Sequence, residues 1–308
     1  MNVNYEYYRT FYYVAKYNSF TKAANVLCSN QPNVTRSMNR LEEELGCRLF
    51  ERNNRGVTLT PEGERLFGHV AVAQEQLQQA EEELSGSAAL ERGSITIGAS
   101  ETALHLFLPE KFKRFHAKFP GIRLRIVNYS TPQALAALKQ GMVDLIVVTT
   151  PTRAEKPIRE VVLSSFQETL IGGKSFAPLS GTPLHLRELQ NYPLICLGRD
   201  TTTYDFYSRL FFRYDLALQP DTEVATTDQV LQLVQCELGL GFLPEPFARG
   251  AISRGEVCHI PLIEPIPPRQ ISLLWDGRRP LSMAAREFEK ELCSTAPAGR
   301  AAGKDAEL

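Results

Sequence analysis

The sequence predicts a multidomain chain: a small helical head, one long polar helix, and an α/β body beyond residue 93. Three observations predict it. Apolar residues recur at helical spacing in three successive short segments between Tyr8 and Leu45. From Leu66 to Leu84 they recur at alternating intervals of four and three on an otherwise polar stretch. From Ser94 onward, runs of β-type residues alternate with amphipathic segments, as in strands joined by crossover helices. At 308 residues the chain has length for two or three domains.

Composition narrows the class. Hydrophobic residues make up 43% and charged residues 22%, the balance of a soluble globular protein. No uninterrupted apolar run approaches the roughly 20 residues of a membrane span. The opening MNVNYEYYRTFYY lacks the basic-then-apolar layout of a secretory signal, so a cytoplasmic location is expected. The net charge of −1 hides an uneven distribution. Up to Leu41 the cations are Arg9, Lys16, Lys22, Arg36 and Arg40, against Glu6 alone. A basic head on a neutral-to-acidic body suits contact with nucleic acid. The six cysteines are scattered without a CxxC pair or a histidine at ligand spacing, so no metal or cofactor is expected and buried reduced thiols are.

Within the head, Tyr8, Phe11, Tyr12 and Ala15 form the first stripe, and Phe20, Ala23, Ala24 and Leu27 the second. Val34, Met38, Leu41 and Leu45 form the third, with Asn30 as its cap and Pro32 in the first turn. Cys28-Ser29-Asn30 is left as the connection, the turn length of a helix-turn-helix. The opposite face of the third helix carries Gln31, Asn33, Thr35, Arg36, Asn39 and Arg40, side chains that can donate to base edges and phosphates. After Gly46, Asn53-Asn54-Arg55-Gly56 is a turn before the alternating Val57-Thr58-Leu59-Thr60, which makes a hairpin wing.

Thr60 and Pro61 then open the long helix. Leu66, Val70, Ala73, Leu77, Ala80 and Leu84 give it a narrow stripe suited to a two-stranded coiled coil, hence to dimerisation. Ser85-Gly86-Ser87 reads as a hinge. In the body, strands are expected at 94–99, 122–129 and 144–148, with helices at 106–119 and 131–140, giving a parallel sheet. A second unit carries strands at 168–172, 194–197, 222–225 and 240–243 and helices at 204–214 and about 227–238. Strands at 257–263 and 270–275 and a helix at 282–292 close the body. The Ala/Gly/Pro-rich tail, 294–308, is expected to be disordered.

The segments FTKAANVL, NQPNVTRSMNRLEEELGCRLFER, GVTLTPEGERL, GMVDLIVV and LGLGFLPE stand in an order that resembles the LysR-type transcriptional regulators across nearly the whole chain. Asn30 replaces the serine common in that family, and Asn33 the usual small residue after the proline. The resemblance implies a winged helix-turn-helix at 1–60, a linker helix and hinge at 61–92, and a two-lobed, periplasmic-binding-protein-like effector domain at 93–293. Lobe I would span about 93–166 and 268–293, and lobe II about 167–267. It further implies a homodimer, often paired into a homotetramer, that bends double-stranded promoter DNA at an imperfect inverted repeat in answer to a small molecule. RNA polymerase becomes a partner if the regulator activates.

Site residues follow. Asn33, Thr35 and Arg36, with Gln31 beside them, are the expected base contacts, since arginine pairs with guanine and an amide with adenine. Thr21, Arg40, Arg52 and Arg55 are expected on phosphates. In the body, ligands of open α/β sheets sit outside the carboxyl ends of the strands. Those ends offer Ser100, Thr102, Thr149, Thr150, Thr201, Thr202 and Thr226, whose hydroxyls and neighbouring N–H groups suit a carboxylate or another small polar anion. Glu101 opposes an anion unless it is turned away or paired. The rival readings are an enzyme or a solute-binding receptor. No GxSxG, HExxH or P-loop supports the first, and the basic head without a signal opposes the second.

Overall fold

The computed structural model describes residues 3–53, 56–84 and 93–294, in two compact units that divide near residue 88. In the first unit, α1 (Tyr5–Tyr17), α2 (Phe20–Val26) and α3 (Gln31–Leu45) begin at side-chain caps. Asn4, Ser19 and Asn30 accept the N–H groups of Glu6, Lys22 and Asn33, donors that no helical carbonyl can reach. Gly46 ends α3 at φ +70°, a left-handed position that suits glycine. The three stripes bury Phe11, Tyr12, Ala15, Ala23, Ala24, Val34, Met38 and Leu41 in one core, which Val14 joins from outside them.

The wing, β1 (Phe50–Asn53) and β2 (Gly56–Leu59), is antiparallel with Phe50 opposite Leu59. It is tied to α3 by Glu42, whose carboxylate accepts the N–H groups of Leu49 at 2.7 Å and Phe50 at 3.1 Å. Thr60 caps α4 (Pro61–Leu84), accepting the Gly63 N–H at 3.0 Å and donating to the Arg48 carbonyl at 2.8 Å.

The start of α4 corrects one expectation. Val70 is buried in the head core, and Leu66 packs on it with Phe67 and Ala71. Aromatic rings of α1 draw this turn inward, with Tyr12 stacked on Phe67 at 5.9 Å. The predicted stripe is therefore spent within the head at its first two positions. Ala73 and Leu77 are exposed further along, while the side chains of Ala80 and Leu84, the Ser85-Gly86-Ser87 hinge and the tail beyond Ser294 lie outside the described residues.

In the second unit two five-stranded sheets form. The first has the order β4-β3-β5-β12-β6, from β3 (Gly93–Ala99), β4 (Ile122–Asn128), β5 (Leu145–Thr149), β6 (Ile158–Phe166) and β12 (Arg269–Asp276). The second has the order β11-β7-β10-β8-β9, from β7 (Glu168–Gly172), β8 (Leu194–Leu197), β9 (Thr222–Val224), β10 (Leu240–Pro244) and β11 (Cys258–Ile260). The expectation of a parallel sheet holds only in part, for both sheets are mixed. β3, β4 and β5 run parallel, but β12 is antiparallel to β5 and to β6. Likewise β7 is antiparallel to β10 and β11. The reason is connectivity. The chain passes from β6 to β7 through Gln167 and returns from β11 to β12, so that β7 enters the second sheet and β12 the first against its direction, while β6 and β11 run with theirs.

Several helices also differ from expectation. The helix foreseen at 106–119 is two, α5 (Glu101–Leu106) and α6 (Leu108–Lys118). Pro109 has no N–H to continue the ladder, and Phe107 departs to φ −126°. α7 (Thr131–Gln140), α8 (Thr202–Phe212) and α9 (Thr227–Gln235) start from Ser130, Thr201 and Thr226, and α10 (Glu245–Ser253) was not foreseen. α11 (Met283–Cys293) closes the first sheet, where Phe288 meets Phe115 of α6 at 5.0 Å. Cys196 alone among the cysteines is fully buried; Cys28 and Cys236 are exposed.

Candidate functional site

In the head, burial of Val34, Met38 and Leu41 turns the other face of α3 outward. Gln31, Asn33, Arg36 and Arg40 are exposed and Thr35 is half-buried. Neither Arg36 nor Arg40 has a carboxylate partner among the described residues. Thr21, expected on a phosphate, instead donates from Oγ1 to the Gln31 side-chain carbonyl at 3.2 Å. That bond joins the two helices of the motif and leaves the Gln31 amide nitrogen as its donor. Arg55 and the Arg52 side chain lie outside the described residues.

In the body, the carboxyl ends of β3, β4, β5, β8 and β9 open on one cavity of about 490 Å³. Of the residues expected there, Ser100, Thr102, Thr149, Thr201, Thr202 and Thr226 line it. Thr150 does not, which corrects that expectation. Its hydroxyl accepts the Gln270 N–H at 2.9 Å and its carbonyl accepts from Arg269 at 3.0 Å, so it serves the join of β5 and β12. Thr203, at the same strand end as Thr201 and Thr202, lines it too; missed were Asn128, Tyr129, Ser130 and Gln133, and also Asp200 and Glu223. The strand-end rule applied to β4 reaches the first three of these.

Glu101 lines the cavity, but its charge is engaged. Its carboxylate accepts the backbone N–H groups of Thr227 and Asp228, so it caps α9 from the opposite lobe. Burial, the largest cause, raises its pKa above the ordinary carboxylate value, and the neighbouring Asp228 carboxylate raises it further. His105 Nε2 lies 3.6 Å from Asp228. Glu101, His105 and Asp228 thus gather donor atoms within 4.8 Å of one another, a set able to hold a cation.

Behind the cavity sits Arg269, 2% exposed, paired with the equally buried Glu168 at 2.7 Å. Its Nη2 donates to Thr149 Oγ1 at 3.0 Å and to Thr203 Oγ1 at 3.1 Å, one hydroxyl from each lobe. The guanidinium also faces the rings of Phe206 at 5.0 Å and Phe166 at 5.7 Å. Burial, with the Glu168 charge beside it, pushes the Tyr207 hydroxyl well above its ordinary pKa. Desolvation likewise raises Cys196 to about 12, which makes it an inert thiol. No helix among the described residues is long and apolar enough to cross a membrane.

Comparison with known proteins gives the same two-part division. Residues 88–295 match the family described as LysR substrate binding domain, and residues 5–64 match the bacterial regulatory helix-turn-helix protein, lysR family. The chain is 28% identical over 280 residues to the uncharacterised HTH-type transcriptional regulator YwbI of Bacillus subtilis, covering 89% of this chain and 91% of that one. It is 28% identical over 243 residues to the RuBisCO operon transcriptional regulator of Allochromatium vinosum, covering 78% and 79%. Among solved structures, full-length CbnR in complex with its target DNA superposes with a TM-score of 0.71 at 18% identity, over 95% of this chain and 100% of that one. OxyR of Corynebacterium glutamicum superposes with a TM-score of 0.57 at 24% identity, over 96% and 94%. By these family matches the chain belongs to the LysR-type transcriptional regulators, proteins with a DNA-binding and an effector-binding domain, and it is a regulator rather than an enzyme.

Proposed function

We propose that this regulator binds an imperfect inverted repeat in promoter DNA as a dimer of dimers, under control of a small molecule held in the cavity between the lobes. The observation that carries the reading is the outward face of α3, with Arg36 and Arg40 exposed and unpaired beside Asn33 and Gln31. An arginine without a carboxylate partner keeps its fork free for guanine or phosphate. A hairpin wing beside a recognition helix reaches the adjacent backbone. The domains would run 1–60, 61–92 and 93–293, with the exposed part of α4 as the dimer seam. RNA polymerase is the further partner if the regulator activates, and the effector acts by changing lobe closure and hence the spacing of paired heads.

The test is fluorescence anisotropy on the protein's own upstream DNA and on scrambled DNA across a salt series. Arg36→Ala should weaken specific binding by about 1–3 kcal/mol and relax base preference. Arg40→Ala should weaken both DNAs alike and reduce the salt slope by about 1. Equal losses on both DNAs for Arg36→Ala would remove its base-reading role.

A further inference from the structure

The charges around the cavity say which molecules fit it. No lysine, arginine or histidine lines it; its charged side chains are Glu101, Asp200 and Glu223. Two of the three are engaged. Glu101 caps α9, and Glu223 accepts from Arg199 Nε at 3.0 Å. Asp200 is exposed in the loop before α8 and has no hydrogen bond or ion pair among the described residues. Its carboxylate is a standing acceptor for a cation.

A few residues on, the cavity wall has the opposite character. The hydroxyl oxygens of Thr149 and Thr203 already accept from Arg269, so each hydroxyl has its proton left to donate. The Thr201 hydroxyl takes the Tyr204 N–H at 3.1 Å, while the N–H groups of Thr202 and Thr203 are first-turn donors with no intrahelical acceptor. This end therefore offers four donors and the positive end of an eleven-residue helix. The Arg269 charge behind it is already balanced by Glu168. Asp200 and Thr203 are three residues apart, at most about 11 Å between α-carbons, so one small molecule can touch both.

Candidate ligands sort against this pattern. A dicarboxylate satisfies the donor end but sets its second charge against Asp200 and Glu223. A diamine does the reverse, and a polyol leaves Asp200 without a counter-charge. We infer that the effector is a zwitterionic amino carboxylate, its carboxylate at Thr149, Thr202 and Thr203 and its ammonium at Asp200. The inference rests on the reading of this cavity as the effector site.

The experiment is isothermal titration of the full-length protein with the common L-amino acids, γ-aminobutyrate and ornithine at millimolar concentration. Each binder is then compared with its des-amino acid, and succinate, putrescine and glycerol serve as the other classes. A binder should lose at least about tenfold in affinity when its amino group is removed, and a similar factor in Asp200→Asn. It should also lose affinity in Thr203→Val. If the des-amino acid or Asp200→Asn matches the parent while Thr203→Val still abolishes binding, the class is wrong and the cavity reading stands. If a binder is indifferent to both variants, the cavity reading itself falls. Binding by succinate, putrescine or glycerol in preference to every amino carboxylate, or no binding by any amino carboxylate, overturns the inference.

Discussion

At Gly63 a side chain has nowhere to go. A Cβ there would stand 2.2 Å from the Leu49 carbonyl oxygen, where the wing meets the first turn of α4. Gly63→Ala should force that junction apart and destabilise the head by about 1–3 kcal/mol, read as a lower thermal midpoint together with weaker DNA binding. Asp276 offers a test in pH. Its buried carboxylate accepts from Arg278 at 3.0 Å, and that bond holds its pKa below the ordinary aspartate value of 3.8. A carboxylate lowered on folding contributes stability that is fully present above its unfolded value and lost as pH falls through the folded one. Acid unfolding below about pH 4 should therefore be shallower in Asp276→Asn than in the parent. Equal acid profiles would show that the pair contributes nothing.

Among the elements, α3 and α4 differ in how much the sequence alone could say. The cap, stripe and stop of α3 are local signals, so Asn30, Val34, Met38, Leu41 and Gly46 specified the helix before any partner was known. In α4 the spacing of Leu66 and Val70 was equally regular, yet spacing does not say what a stripe faces. The aromatic residues of α1 decided that, and no local pattern announces a ring stacked from another helix. For the same reason the direction of β12 was hidden, being set by where the chain re-enters a sheet, and β6 was not foreseen. The cavity was half legible: threonines at strand ends were visible, whereas Arg269 reaches them from 66 or more residues away in sequence. The division along α4 can be tested by two substitutions. Val70→Ala should lower head stability by about 1–3 kcal/mol with little effect on assembly. Leu77→Glu, at a position 44% exposed, should leave the thermal midpoint of the head unchanged and shift the mass in light scattering toward the monomer. An unchanged mass for Leu77→Glu would place the seam elsewhere.

For the molecule as a whole, the Arg269–Glu168 pair stands where the chain passes between the two sheets. Removing one partner strands a buried charge, so Arg269→Met or Glu168→Leu should each cost about 3–5 kcal/mol in urea unfolding. The double substitution should recover most of that loss, because two apolar groups leave no charge behind. A double variant as unstable as the sum of the singles would show that the Thr149 and Thr203 bonds, rather than the ion pair, hold the crossing. The cap that Glu101 places on α9 has a different consequence. A helix capped from the other lobe loses that cap when the lobes part, and a cap is worth about 0.5–2 kcal/mol. Opening is thus charged to the helix itself, and this contact alone would favour the closed shape by a factor of roughly 2 to 30. A ligand seated between the lobes would shift their closure only by as much as its affinity differs between the open and closed shapes, with this cap already weighing on the closed side.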